Sequence, residues 1–387
     1  MTLNIAPDCR HYLGDRPCPV GNSCRCRHYA PMGFRVLIIK IGALGDVVRT
    51  AALLPTLKRT WPVSHVTWLT SEAGVRILAR HPQIDRLLPF DASGTAAVLA
   101  QSFDLVISLD KDAGPAGLCR LVRSADKRGI TLSEWGTVVP ANRECEGYFA
   151  LGLDNHAKFV QNTRSYPQLI HEALGLEYRG EPYRLQVDPS WAERAERIFQ
   201  RRPGADGPVI GLNTGAGPNF ARKTLSPARW VELARALTAR GYAPALLGGP
   251  GEIETNAWIL EQLGPEVLDT GCRNREDLFA ALIDRCDLVI TGDSLGLHVA
   301  VARGVPTAAL FGPTCPQEIE LYGLGRKLVS PCACGPCYRR ECAREPHCMD
   351  AIPLETILEA VETICPTERT AAIPTQPARR VTPTGTS

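Results

Sequence analysis

No run in this chain reaches the roughly 18 consecutive apolar residues that a membrane-spanning helix needs, although 44% of its residues are hydrophobic. Charge of one sign is also missing. Over 387 residues the formal net charge is +2, too little for a field that would gather nucleic acid or an anionic membrane. No secretory leader is visible, because the first apolar run, residues 36–39, comes late and reads as a strand. A cytoplasmic, globular protein is the expectation. Its length exceeds one ordinary core, so two domains are expected.

Cysteine, by contrast, is plentiful and unevenly placed. Of fifteen, four lie within residues 9–26 and five within residues 332–348, while Cys119, Cys145, Cys272 and Cys286 are scattered. In a chain without a secretion signal, such clusters read as metal ligands more readily than as disulfides. The scattered ones read as small core residues. Cys9, Cys18, Cys24 and His28 have gaps of eight, five and three residues, the spacing of CCCH zinc fingers, with Cys26 competing with His28. Such fingers bind single-stranded RNA through stacked aromatics, but this arm offers only Tyr12 and Tyr29, so nucleic acid is not an expected partner. The second cluster supplies Cys332, Cys334, Cys337, Cys342 and Cys348, with His347. Structural zinc is the first expectation there, with an iron–sulfur cluster or unmetallated surface thiols as alternatives.

The most informative segment runs from Leu288 to Pro316, LVITGDSLGLHVAVARGVPTAALFGPTCP. A short apolar strand, a turn carrying Asp293, Ser294 and His298, a helix closed by Gly304, and a strand from Ala308 to Phe311 make a βαβ unit. Its chemistry falls at the carboxyl ends of the strands, where open α/β sheets bind ligands. The second strand delivers Gly312, Pro313 and Thr314, whose backbone N–H groups and hydroxyl suit a phosphate.

Elsewhere, Phe34 to Lys40 reads as a buried strand, followed by a glycine-rich turn and a helix from Val47 to Thr60. Strands at residues 66–69, 86–90 and 105–109 follow in βα alternation, which implies a mostly parallel sheet. Residues 111–183 read as loops and a helix lining a cleft, and residues 188–208 as a charged helix and linker. A second βα series begins at Val209, with a helix around residues 227–240 and a strand at residues 244–247. The expected division is a Cys-rich arm (1–32), a first Rossmann-like domain (33–187), a second (188–365) and a disordered Pro/Thr-rich tail (366–387).

Three segments, LIIKIGALGDVVRTAALLPTLKRTWP, GLNTGAGPNFARKTLSPARWVELARAL and GDSLGLHVAVARGVPTAALFGPT, resemble glycosyltransferase family 9, the ADP-heptose:lipopolysaccharide heptosyltransferases and their relatives. They cover residues 34 to about 350, in family order. The resemblance implies an α/β protein of GT-B fold, two Rossmann-like domains facing each other across a cleft, with the acceptor bound by the first and the donor mainly by the second. It implies inverting transfer of a heptose from ADP-heptose to a lipopolysaccharide-core or other glycolipid acceptor, with no cofactor required. The family's C-x-P-C-type pattern after the donor domain implies that the second cysteine cluster lies close to the cleft.

Asp46 matches the family's proposed general base, a carboxylate placed to accept a proton from an acceptor hydroxyl. Read locally, it is equally an N-cap of the helix at Val47. Thr214, Gly215 and Gly217 form a turn that brings backbone N–H groups near a diphosphate. Arg222 and Lys223 supply cations for its growing charge, or form a solvated surface pair. Lys223 matches the family's lysine beside the donor phosphates. Asp293 matches the aspartate that holds the donor sugar, and His298 the histidine of the same motif or, locally, a hydrogen-bonded helix-start residue. The family reads D-S/T-G-x-x-H where this chain has its glycine one place later, at Gly296. Glu252 suits a ribose contact or a first-turn acid. Arg120, Arg123, Lys127 and Arg128 suit contact with anionic sugar phosphates or a solvated face. Peripheral contact with the inner membrane follows from a lipid-linked acceptor. The competing functions are a nucleotide-sugar epimerase and a nucleotide-sugar-binding protein without turnover.

Overall fold

The computed structural model describes residues 5–21, 24, 26–201, 207–217 and 222–367. Two six-stranded sheets organise it. The first holds β1 (Phe34–Ile39), β2 (Ser64–Thr70), β3 (Arg86–Pro89), β4 (Ser102–Ser108), β5 (Arg123–Leu132) and β6 (Val138–Pro140), ordered β3-β2-β1-β4-β5-β6. All its pairings are parallel except β5 with β6. The second holds β7 (Val209–Asn213), β8 (Ala243–Leu247), β9 (Leu268–Asp269), β10 (Leu288–Gly292), β11 (Thr307–Phe311) and β12 (Gly325–Val329), all parallel, ordered β12-β11-β10-β7-β8-β9. Strands β8, β10 and β11 are buried at every position. That is the requirement on parallel strands covered by helices on both faces.

In each sheet the chain steps outward from a central strand, then returns to build the other side. The reversal opens a crevice at the carboxyl ends of β1 and β4 in one sheet, and of β7 and β10 in the other. The two units meet where the helix Leu44–Thr50 packs on the helix Leu295–Arg303. One buried apolar cluster runs through both, from Val36 and Val48 to Leu297 and Val301. Arg76 adds a two-pronged ion pair across the junction, its Nε and Nη2 lying 2.7 and 3.1 Å from the Glu276 carboxylate oxygens. Among the described residues no helix is long and apolar enough to cross a membrane.

Two readings of local structure change. The expected helix over residues 47–60 is two helices, Leu44–Thr50 and Leu53–Thr60. Pro55 cannot donate to the carbonyl four residues back and its ring crowds Ala51, so the helix breaks at Ala51–Ala52 and restarts. The stretch 111–183 is more regular than loops and one helix, because it contains the helix Ala113–Leu121 and two strands, β5 and β6, that extend the first sheet. In the segment 188–208 the expected charged helix is Pro189–Phe199, capped by Asp188, and it packs on the helix Glu276–Ile283, while residues 202–206 of the expected linker lie outside the described residues. The expected disordered tail lies, from residue 368 onward, outside the described residues.

Candidate active site

At the first crevice the charges come in layers. Lys40, 4% exposed at the end of β1, is ion-paired to Asp110, 3% exposed at the end of β4. Asp110 also accepts from Ile41 N. In front of this pair stands Asp46. Because the helix starts at Leu44 rather than Val47, Asp46 is a first-turn residue and not the N-cap, which is Ala43. Arg49, one turn later, donates Nε to Asp46 Oδ1 at 2.9 Å, with Nη2 2.7 Å from the same oxygen. Lys40 Nζ is 4.0 Å from Oδ2. The guanidinium of Arg49 lies flat on Tyr166, 3.7 Å from its ring centroid, and Tyr166 is fixed in turn by a 2.9 Å hydrogen bond to Thr50. Burial alone would push the Asp46 carboxyl up, but Arg49, then Lys40 and His298, hold it below the ordinary carboxylate value. It is therefore ionised at neutral pH.

The second crevice is assembled mainly from neutral groups. Asn213, at the end of β7, donates from Nδ2 to Thr291 Oγ1 (2.8 Å), Ser294 Oγ (3.0 Å) and Gly215 O (3.2 Å). It thereby joins the turn after β7 to the turn after β10. A Cβ at Gly296 would lie 2.6 Å from Asn213 Nδ2, so the displaced glycine is where the helix Leu295–Arg303 meets this side chain. Lys223 reaches the same place, donating Nζ to the backbone oxygen of Asp293 at 2.6 Å. Its own carbonyl is so tight against β10 that a Cβ at Gly292 would lie 1.8 Å from it. Gly217 takes φ +71°, a left-handed conformation that suits glycine. The Thr314 hydroxyl is buried with no partner among the described residues. An unsatisfied buried hydroxyl beside a phosphate-type turn is the kind a ligand completes.

The two crevices face each other through His298. A Cβ at Gly45 would lie 2.6 Å from His298 Cδ2, so glycine there lets the imidazole rest against the backbone next to Asp46. His298 Nδ1 is 3.4 Å from Tyr183 Oη and Nε2 is 3.7 Å from Asp293 Oδ1. Burial, with Arg49 next, pulls its pKa down to about 4, so the ring is neutral at physiological pH. Asp46, Arg49, His298, Asp293 and Lys223 thus share one junction.

Other expected residues take other duties. Thr214 is buried, its hydroxyl satisfied by Asn256 Oδ1 at 2.6 Å and Leu247 O at 3.2 Å, so it braces the turn. Glu252 accepts from Gly249 N at 2.8 Å, and a Cβ at Gly215 would lie 3.1 Å from its carboxylate, so it closes the helix entry beside the turn. Arg222 pairs with Glu345 at 3.3 Å. Gly312 is packed against the cysteine loop: a Cβ there would lie 2.6 Å from Cys348 Sγ. Pro313 O accepts from Cys337 N and Tyr338 N, each at 2.9 Å. The cysteine-rich loop thus does sit close to the second crevice, as a scaffold for its Gly-Pro-Thr turn.

The expected zinc sets do not assemble. Among the described residues no group of three or more His, Cys, Asp or Glu side chains is placed to hold a metal ion. Cys9 is tucked into a bridge with Pro31, while Cys18 and Cys24 are half-exposed and His28 is exposed. That arm is instead pinned to the first sheet by Arg10, which donates to Ser64 O (2.9 Å) and Asp85 (2.6 Å). In the second cluster Cys348 is buried and Cys334 exposed, with Cys332, Cys337 and Cys342 between these extremes. Burial pushes the Cys348 thiol up to about 11, and those four thiols are near enough to add to the shift. Proximity falls short of a common centre, which tetrahedral ligation demands.

Sequence reasoning missed Arg49, Tyr166, Lys40, Asp110 and the hub role of Asn213. Only Arg49 carried a local signal, its i,i+3 spacing from Asp46 on a helix face.

The family model described as glycosyltransferase family 9 (heptosyltransferase) matches residues 95–347. Lipopolysaccharide heptosyltransferase 1 of Pseudomonas aeruginosa is 29% identical over 343 residues, 81% of this chain and 88% of that protein. Among solved structures, the family 9 glycosyl transferase of Veillonella parvula matches with a TM-score of 0.68 at 22% identity, over 86% of this chain and 97% of that one. The ADP-heptose LPS heptosyltransferase II of Escherichia coli matches with a TM-score of 0.63 at 20% identity, over 86% and 98%. Two facing Rossmann-like sheets with paired crevices are the GT-B fold, and the chain belongs to glycosyltransferase family 9.

Proposed function

We propose that this glycosyltransferase moves a heptose from ADP-heptose to a lipopolysaccharide-core acceptor by a single inverting displacement, with Asp46 as general base. The unit of residues 33–187 takes the acceptor and the unit of residues 188–365 the donor, at the inner face of the cytoplasmic membrane. The observation that carries this reading is the state of Asp46. It is held ionised, with Oδ1 fixed by Arg49 and Oδ2 without a hydrogen bond among the described residues, across the junction from Asp293 and Lys223. The heptosyltransferase relatives support the choice of sugar and acceptor.

In the step itself the acceptor hydroxyl oxygen bonds to the anomeric carbon. The bond from that carbon to the β-phosphate oxygen breaks, and its electron pair leaves on ADP. The hydroxyl proton passes to Asp46 Oδ2. Lys223, with Arg222, meets the charge growing on the diphosphate, and the Thr314 hydroxyl and the glycine turn at Gly215–Gly217 add neutral donors. Asp293 and Ser294 hold hydroxyls of the donor sugar. No metal or other cofactor enters this scheme.

The test pairs binding with turnover. Calorimetry against a panel of nucleotide-diphosphate sugars names the donor, and transfer to a heptose-free core acceptor is then followed with wild type and Asp46→Asn. The reading stands if ADP-heptose binds, transfer requires acceptor and the variant binds donor without turning over. It falls if Asp46→Asn transfers normally, or if donor is converted without acceptor, as an epimerase would do.

A further inference from the structure

We infer that the β5–β6 hairpin and the end of the helix Ala113–Leu121 form a docking surface for an anionic lipid bilayer. The reasoning rests on the proposed lipid-linked acceptor for its purpose, and on the following geometry for its place. Gly129, at φ +96°, turns β5 away from β4, so residues 130–132 leave the parallel sheet and pair with β6. The hairpin folds back over the helix, with Arg120 Nη1 donating to Leu132 O at 2.9 Å and Lys127 Nζ donating to Arg120 O at 2.6 Å. Its turn is closed by Ser133 N to Thr137 O at 2.8 Å and by the paired hydroxyls of Ser133 and Thr137, also at 2.8 Å.

This hydrogen-bonded tip presents Trp135, which is 84% exposed. Leu121, 67% exposed, ends the adjoining helix, and Arg123 follows it. A large apolar ring held out on a fixed turn is costly in water unless something covers it. Indole suits the headgroup layer of a bilayer, where its body is apolar and its N–H stays hydrated.

The charge around the tip points to the same occupant. Arg120, Arg123 and Lys127 all donate to backbone carbonyls, of Leu132, Ala100 and Arg120. None of the three forms an ion pair among the described residues, so their charge is left uncompensated, and Glu134 is the one acid in the turn. Of the four cations expected to suit acceptor sugar phosphates, Arg128 pairs with Asp126, and the other three are taken by lipid headgroups instead, since Arg123 and Lys127 lie on the part of β5 that pairs with β4 alone and Arg120 on the helix beside it. Each such cation near an anionic surface contributes on the order of 1 kcal/mol.

The full chain is sedimented with phosphatidylglycerol vesicles and, separately, with phosphatidylcholine vesicles, without donor. Wild type should pellet with the first and far less with the second. Trp135→Ser should weaken that binding about tenfold, and Arg123→Gln by a smaller factor, with unchanged melting temperature and unchanged transfer to a water-soluble acceptor fragment. The inference is overturned if wild type stays in the supernatant, if both lipids bind it equally, or if Trp135→Ser binds like wild type. Because vesicle binding is read without turnover, absence of heptose transfer would count against the proposed function and leave this result standing.

Discussion

The two crevices solve different problems with different materials. At the ends of β1 and β4 the protein buries charge: Lys40 on Asp110, then Asp46 on Arg49, the latter stacked on Tyr166. At the ends of β7 and β10 it uses an amide, two hydroxyls and close backbone approaches, with Lys223 as the cation reaching in. A base must be ionised and aimed, which takes a neighbouring cation in a dry setting. A diphosphate brings its own charge, so its site needs donors and shape more than carboxylates. Substitutions on the first side should therefore move rate and pH dependence, and those on the second should move donor affinity.

The largest expected effect is Asp46→Asn. Loss of the base should lower kcat by about a hundred- to ten-thousandfold with donor affinity unchanged, read by steady-state kinetics beside calorimetry. A parallel loss of donor binding would erase the distinction between the crevices. Arg49→Met should come next. The guanidinium keeps the Asp46 carboxyl below its usual range, so its removal raises that pKa, and the acid limb of the kcat/KM profile should move to higher pH. If the limb stays in place while the rate falls, Arg49 acts on something other than the ionisation of Asp46.

On the donor side two threonines give an internal contrast. Thr314 has a buried hydroxyl without a protein partner, whereas the Thr214 hydroxyl is satisfied by Asn256. Thr314→Val should cost about tenfold in donor affinity and little stability, since nothing in the protein loses a bond. Thr214→Val should do the reverse, lowering stability by roughly 1–2 kcal/mol with donor affinity nearly kept. Calorimetry and thermal melts of both variants decide it, and unchanged donor affinity in both would mean that neither hydroxyl meets the donor.

The sequence made the strands, the switch-point motifs and the helix closed by Gly304 legible, because parallel strands are continuous apolar runs and glycine marks a left-handed stop. It misplaced the helix start near Asp46 by three residues, and that hid Arg49, whose position on the same face needs Leu44 as the first helical residue. Lys40 and Asp110 are seventy positions apart, so only the β1–β4 pairing brings them together. The cysteine spacings suggested ligands because spacing is local, while ligation needs convergence that the fold does not supply among the described residues. The cations Arg120, Arg123 and Lys127 were legible as a basic group, but not Trp135 beside them, since the hairpin that carries the ring back over the helix is a long-range feature.

The smallest expected effect concerns the junction between the crevices and appears on acidification. His81, His171 and His298 are buried, and burial pulls each down to about 4. In the unfolded chain they titrate near 6.5. Between these values the unfolded state binds more protons, so stability rises with pH in that window and is lost as pH falls from about 6.5 to about 4. His65 and His347 are buried too, and burial lowers them in the same direction, so melts across the window should show protons taken up by as many as five histidines on unfolding, and His81→Leu should remove one of them. His298 differs from the others in facing Asp46 and Arg49 from across the junction, with Asp293 and Lys223 beside it, so its proton enters where the two units touch. If acid first loosens the contact between the helices Leu44–Thr50 and Leu295–Arg303, amide exchange at their facing turns should accelerate before the sheets unfold. Uniform exchange across both sheets would instead mean that His298 is one buried histidine among several, and that the crevices are held together by packing alone.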